Sequence, residues 1–177
     1  MASKIKVDQL ETADGTGTIA LQNQLSGLTS ASMPTGAVVQ VGMSGTTSET
    51  TTSSASWSDA GTFINFTPTS SSNKVLVTFS QPLRIQGAAS DLRGGIRLNR
   101  VVGGVATTVW NTDNFTELFQ SRSTPLELNM VSPGVILDSP NTTNQVEYRI
   151  QHYANNGNFR TYGSTRGAII VCQEIKG

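Results

Sequence analysis

The stretch GIRLNRVVGGVATTVW, residues 95–110, carries the strongest structural signal in the chain. Two runs rich in β-branched residues flank Gly103-Gly104, and both central positions of a two-residue hairpin turn need a positive φ, which glycine adopts freely. The stretch therefore predicts two antiparallel strands, Gly95 to Val102 and Val105 to Trp110, joined by a tight turn.

Short runs of the same kind continue on both sides of this hairpin. Lys74 to Ser80 alternates, with Val75, Val77 and Phe79 on one face, and after the turn at Pro68 to Asn73 it reads as the antiparallel neighbour of Thr62 to Phe66. Further strands are predicted at Gly36 to Val41, Leu126 to Val131, Val135 to Leu137, Gln145 to Ala154, Phe159 to Tyr162 and Ala168 to Ile175, with turns at Pro133-Gly134, Ser139-Pro140-Asn141 and Asn155-Asn156-Gly157-Asn158. About nine or ten short strands favour an all-β fold, a jelly-roll-like β-sandwich.

Composition narrows the classes of partner. Lys and Arg number 12 and so do Asp and Glu, so the formal net charge is zero and no basic field exists to attract nucleic acid or anionic lipid. The sequence contains no apolar run long enough for a signal peptide or a membrane span. We therefore expect a soluble protein made in the cytoplasm, with neither a nucleic-acid nor a membrane partner.

The distribution of aromatic residues divides the chain. Every Trp, Tyr and Phe lies at or beyond Trp57, so the first segment has little apolar area to bury by itself and should order against something else. We predict an extended N-terminal attachment segment and linker, residues 1–35, and a β-sandwich head, residues 36–177. The predicted attachment residues are Ile5, Val7, Leu10, Ile19, Leu21 and Leu25.

Four stretches of the predicted head share their sequence pattern with a known family. They are FINFTPTSSSNKVLV at 63–77, ILDSPNTT at 136–143, VEYRI at 146–150 and CQEI at 172–175. Together they resemble a domain of phage structural proteins that is often labelled tail-fibre-like. The opening KIKVDQLETADGTGTIALQNQL, residues 4–25, is similar to the leader of virion proteins from marine phages, including cyanophages.

The resemblance implies a virion protein whose leader docks on the particle and whose head forms a trimer, as jelly-roll heads of the tumour-necrosis-factor or complement type do. The expected function is that of a trimeric appendage, a capsid decoration or short head fibre, located on the virion and made in the host cytoplasm. One alternative is a tail-fibre or tail-tip protein that binds host surface glycan. A freestanding carbohydrate-binding module is a third.

Catalysis is not expected. No Gly-x-Ser-x-Gly elbow surrounds any serine, and Asp113 and Glu117, the nearest approach to a carboxylate pair, read as solvated loop residues. The single His152 lies on the face of a predicted strand with Tyr148 and Ile150, which is typical of a core or interface position. Three copies of His152 near a trimer axis could hold a metal ion, but the core interpretation is favoured, and we expect neither a metal nor another cofactor.

Two clusters have the composition of a glycan contact, in which a ring stacks on a sugar and polar groups hydrogen-bond its hydroxyls. Each is expected on a loop or hairpin tip of the rigid β scaffold. The candidate residues are Trp110, Asn111 and Asp113 in the first cluster, and Tyr153, Asn156 and Arg160 in the second.

Overall fold

The structure, a computed structural model, describes residues 32–46, 48–87, 91–112, 118–119, 126–155, 157–162 and 167–177. All the described strands lie in the compact unit Pro34–Gly177. The six predicted attachment residues, from Ile5 to Leu25, lie outside the described residues, so their role stays a prediction.

The regular elements of the described part of the chain are β-strands, which confirms the all-β prediction. Their bounds are β1 Val38–Thr46, β2 Thr50–Thr52, β3 Ser58–Phe66, β4 Lys74–Gly87, β5 Asp91–Val102, β6 Val105–Asn111, β7 Leu118–Phe119, β8 Leu126–Asp138, β9 Val146–Asn155, β10 Asn158–Thr161 and β11 Ala168–Ile175.

The strands form two antiparallel sheets. In the first sheet the order is β1-β11-β4-β10-β2, and β8 pairs with the other edge of β4 along its whole length. In the second sheet the order is β3-β9-β5-β6, and β7 pairs with β5. Side chains from both sheets meet in one apolar core, which makes the fold a β-sandwich.

Period-two alternation explains how each sheet finds its inner face. Along β9 every second residue is buried, beginning with Val146, Tyr148 and Ile150, and the residues between them are only partly covered. From the first sheet Val77 and Cys172 face the same core. Burial of this alternating set supplies the main driving force for closing the sandwich.

The Gly-Gly hairpin is confirmed. β5 and β6 pair antiparallel as far as Val102 opposite Val105, and Gly103 and Gly104 have φ values of 56° and 83°. The residues that a left-handed backbone requires therefore stand where the turn forms.

The predicted pairing across Pro68 to Asn73 is wrong. β3 pairs with β9 in the second sheet, whereas β4 pairs with β8, β10 and β11 in the first, so this turn carries the chain from one sheet to the other. The buried carboxylate of Glu174 holds the turn in place. Its Oε1 accepts hydrogen bonds from Thr69 N at 2.8 Å and Asn73 Nδ2 at 2.7 Å, and its Oε2 accepts one from Gln40 Nε2 at 2.7 Å.

A turn at Pro133-Gly134 was also predicted, and this too is wrong, because both residues lie inside the continuous strand β8. Among the described strands β8 pairs with β4 alone, and on such an edge a proline can leave its missing N–H facing away from the ladder. Gly134 is needed for packing, since a Cβ there would lie 2.3 Å from the ring of Phe79. Proline and glycine usually mark a turn, but here Pro133 lies within an edge strand and Gly134 allows the Phe79 ring to approach the backbone.

Candidate functional surfaces

Trp110, the centre of the first predicted glycan cluster, is partly a core residue. Its ring meets that of Phe79 edge-on, with the centroids 5.0 Å apart. A groove of about 460 Å³ lies between residues 110–112 and residues 130–133 of β8. Within its lining Asn111 is exposed. Asp113 lies outside the described residues, so the structure brings together only the first two members of the predicted cluster.

The second predicted cluster does not assemble. Tyr153 lies on β9 and faces outward from the second sheet, whereas Arg160 lies on β10 in the first sheet, where its NH1 donates to Glu49 Oε1 at 3.1 Å. β9 and β10 are joined by a connection between sheets rather than by a hairpin, so the alternation of side chains directs the two residues to opposite sides of the sandwich. Asn156 is outside the described part of the chain.

His152 is a core residue, only 1% exposed, and its Nδ1 lies 3.4 Å from the hydroxyl of Thr161. Its own protomer encloses the ring, so it is not available on the protomer surface for a shared site on a trimer axis. Burial lowers the pKa of His152 to about 4, against a smaller opposing effect of the Asp59 carboxylate. The imidazole is therefore neutral in the folded protein at physiological pH.

This burial predicts a loss of stability in mild acid. Below pH 6.5 the unfolded chain binds a proton at His152 that the folded chain binds only near pH 4, so the free energy of unfolding should fall as the pH drops between these values, by roughly 3 kcal/mol. Urea denaturation at a series of pH values measures the slope. In His152→Leu the free energy of unfolding should fall between pH 6.5 and pH 4 by roughly 3 kcal/mol less than in the parent protein. If the variant shows the same dependence on pH as the parent, His152 is not the group responsible.

The outer surface of the first sheet is an unusual apolar face. We use the name apolar face for eight side chains that point away from the core: Val41, Met43, Leu76, Val131, Val135, Leu137, Ile169 and Val171. Six of them are between 37% and 70% exposed, and Leu76 and Val171 are partly covered.

Strand register makes the apolar face continuous. One row runs across four strands as Met43, Val171, Thr78 and Val135, and the next runs as Val41, Gln173, Leu76 and Leu137. No charged residue stands in either row. Contiguous exposed apolar area of this kind marks a site of association in soluble proteins.

Sequence reasoning missed this face, although a signal was present. In Val135-Ile136-Leu137 and in Val171-Cys172 consecutive residues are apolar, and such runs are typical of strands that are covered on both sides. Only one side is covered by the protomer. The sequence prediction divided β8 into two strands, and the repeat of the apolar residues Val131, Val135 and Leu137 along its outer side was therefore not recognised.

The outer surface of the second sheet is aromatic and polar instead. Trp57, just before β3, meets Tyr153 edge-on at 4.5 Å, and the guanidinium of Arg97 lies 4.6 Å from the centre of the Trp57 ring. The Tyr153 ring lies over Gly95, where a Cβ would come within 2.6 Å of it. Gln151 holds Arg97 in place, since its Oε1 accepts from Nε at 2.9 Å and from NH2 at 2.6 Å.

The described residues include no group of three or more His, Cys, Asp or Glu side chains placed to hold a metal ion. Cys172 is buried, and burial raises the pKa of its thiol to about 12. In the same part of the chain no helix has the length and hydropathy of a membrane span.

Comparison with protein-family models finds no match, and no curated protein matches the chain. Among the solved structures that match is a chain in the structure of infectious bursal disease virus, Gx strain. It is 12% identical with a TM-score of 0.37, and the match covers 76% of the present chain and 37% of that chain. The present chain thus spans well under half of the viral chain, and similarity at this level is too low to indicate a function.

Proposed function

We propose that the protein is a structural, non-enzymatic component of a bacteriophage virion, a homotrimeric appendage that residues 1–35 attach to the particle. The observation that carries this proposal is the apolar face. A soluble protomer that leaves Met43, Val135 and Val41 at least 60% exposed in adjoining rows has a surface suited to self-association.

The chemistry of the face favours other copies of the same chain as its occupant. Apolar side chains from three identical faces can pack around a threefold axis without bringing like charges together, because the two central rows contain none. Each square ångström of apolar surface buried in this way contributes roughly 25 cal/mol. A closed trimer would also leave no surface for further, unlimited addition of copies.

The order of the strands supports a jelly-roll head of the tumour-necrosis-factor or complement type. The strands β1, β11, β4 and β8 of the first sheet lie opposite β3, β9, β5 and β6 of the second. Along the described strands the chain changes sheet six times, at β2/β3, β3/β4, β4/β5, β7/β8, β8/β9 and β9/β10. Crossing connections between two four-stranded layers are typical of that architecture. The resemblance of residues 63–77, 136–143, 146–150 and 172–175 to a domain of phage structural proteins leads to the same assignment.

Light scattering on the full chain and on a chain beginning at Pro34 tests the proposal. The protomer mass is 18.8 kDa, so a trimer has three times this mass, and the shorter chain should reach the same oligomeric state because it retains the whole apolar face. Monomers in both preparations would overturn the trimeric appendage and favour a freestanding carbohydrate-binding module.

A second placement, on a tail fibre or tail tip where the protein would meet host glycan, is favoured by the outer surface of the second sheet. The apolar face and this surface lie on opposite sides of the sandwich. A trimer formed through the first sheet would therefore leave the aromatic and polar groups of the second sheet accessible to a ligand.

A further inference from the structure

A bulge in β3 opens a pocket in the outer surface of the second sheet. Asp59 pairs with Gln151 and Phe63 pairs with Arg149, so residues 60–62 of β3 stand opposite Ile150 alone. Gly61, with a φ of 76°, allows the backbone to bend there. Bulges of this kind are common beside binding sites because they redirect side chains.

The pocket has a volume of about 170 Å³, and its lining includes Asp59, Phe63, Glu147 and Arg149. About 10–15 Å³ of such space is enough for one water molecule, so the pocket has room for a group of many atoms, such as one sugar ring. Phe63 is 48% exposed and offers an apolar surface, while the other three side chains offer donors and acceptors.

The polar groups of the pocket are held in fixed positions. Arg149 NH1 donates to Asp59 Oδ2 at 2.9 Å, and Arg149 Nε donates to Glu147 Oε1. The Asp59 side chain is still 54% exposed and that of Arg149 34% exposed, so both can form further hydrogen bonds. Ionised groups form stronger hydrogen bonds to hydroxyls than neutral groups do.

Gln151 connects the pocket with the aromatic pair. Its Nε2 donates to Asp59 Oδ1 at 2.9 Å, and its Oε1 accepts from Arg97, the residue that covers one side of Trp57. The pocket and the rings of Trp57 and Tyr153 therefore form one continuous surface whose parts fix one another. Such pre-organisation lowers the entropy that binding would otherwise lose.

We propose that this surface binds a neutral oligosaccharide, with one pyranose ring in the pocket beside Asp59 and Arg149 and the adjoining sugar against Trp57 and Tyr153. Aromatic rings present an apolar surface to the C–H groups of a sugar, while carboxylate and guanidinium groups hydrogen-bond its hydroxyls. The ligand is neutral because the two carboxylates, Asp59 and Glu147, are balanced by the guanidinium groups of Arg97 and Arg149, which leaves no net field for an acidic sugar.

The proposal is tested by screening the full chain on an array of neutral and acidic glycans and measuring the affinity of the best neutral hit by calorimetry. Trp57→Ala should weaken binding about tenfold, through loss of the ring contact, and Asp59→Asn should weaken it at least as much. The matched control is Glu127→Gln, which breaks a partly exposed ion pair with Arg84 on the other sheet and should leave the affinity unchanged.

A blank array would overturn the proposal, and so would a hit whose affinity Trp57→Ala and Asp59→Asn leave unchanged. Selective binding of acidic glycans would overturn the charge argument and with it the assignment of the ligand. Because Asp59→Asn preserves the shape of the side chain, it remains informative if Trp57→Ala does not fold. The oligomeric state is measured separately by mass, so failure of sugar binding and failure of the trimer are distinguished.

Discussion

Val135→Asp should convert the proposed trimer into a monomer. Val135 stands in the row with Met43 and Val171 and is 69% exposed in the protomer, so the substitution places a charge in the apolar face without disturbing the core. In a trimer three carboxylates would be brought together and removed from water. Leaving an uncompensated charge buried costs on the order of several kcal/mol per site, enough to lower the association constant by several powers of ten. Light scattering at micromolar concentration measures the change.

Val105→Asp is the matched control for this substitution. Val105 is 71% exposed at the end of the Gly-Gly hairpin, on the second sheet, so the new charge stays in water and the mass should remain that of the trimer. Circular dichroism should show the same β-sheet spectrum for both variants. A Val135→Asp protein that keeps the mass of the parent would exclude the apolar face as the interface.

Glu174→Ala should lower the free energy of unfolding by about 3–5 kcal/mol. Glu174 is fully buried and its carboxylate accepts hydrogen bonds from Thr69, Asn73 and Gln40. Truncation leaves these donors without their acceptor and removes the group that anchors the turn between β3 and β4. Urea denaturation followed by tryptophan fluorescence measures the loss.

Two comparisons separate the carboxylate from the space it fills. Glu174→Gln keeps the shape and one acceptor oxygen, so it should be destabilised by only about 1–2 kcal/mol. Burial tends to raise the pKa of Glu174, but the hydrogen bonds from Asn73, Thr69 and Gln40 outweigh it and hold the pKa below its ordinary value. The ionised Glu174 carboxylate therefore stabilises the fold above its ordinary pKa, and this stabilisation is lost as the pH falls through the lowered pKa of the folded protein. Glu174→Ala and Glu174→Gln lack the carboxylate, so their free energy of unfolding should not show this fall in acid.

Local β structure could be predicted from the sequence because it depends on local rules. Ala168 to Ile175 was predicted with the bounds that the structure shows, and the Gly103-Gly104 turn formed where both residues allow a positive φ. Which strands pair could not be predicted in the same way. The residues Pro68 to Asn73 predict that the chain reverses direction. Whether the next strand joins the same sheet or the other one depends on contacts with Glu174, which is 101 residues beyond Asn73.

The candidate surfaces were predictable only in part. Tyr153 was predicted as a ring that could contact a sugar. Its partner Trp57, which precedes β3, and Arg97 of β5, which covers Trp57, come from distant parts of the sequence and were not predicted. The pocket arises from a register shift at residues 60–62, and no composition rule identifies three residues that will oppose one. Arg160 was grouped with Tyr153 because the two residues are close in sequence. The chain changes sheet between them, so closeness in sequence does not place their side chains together.

The position of β11 bears on how the protein is made. Among the described strands β1 pairs with β11 alone, so the strand formed early in translation has no partner in its sheet until residues 168–175 have left the ribosome. β4 likewise waits for β11 along one side. The first sheet therefore closes late, and until then the nascent chain exposes strand edges that a chaperone would recognise. A chain that ends at a premature stop before Ala168 lacks β11, so it should aggregate rather than remain partly folded and soluble.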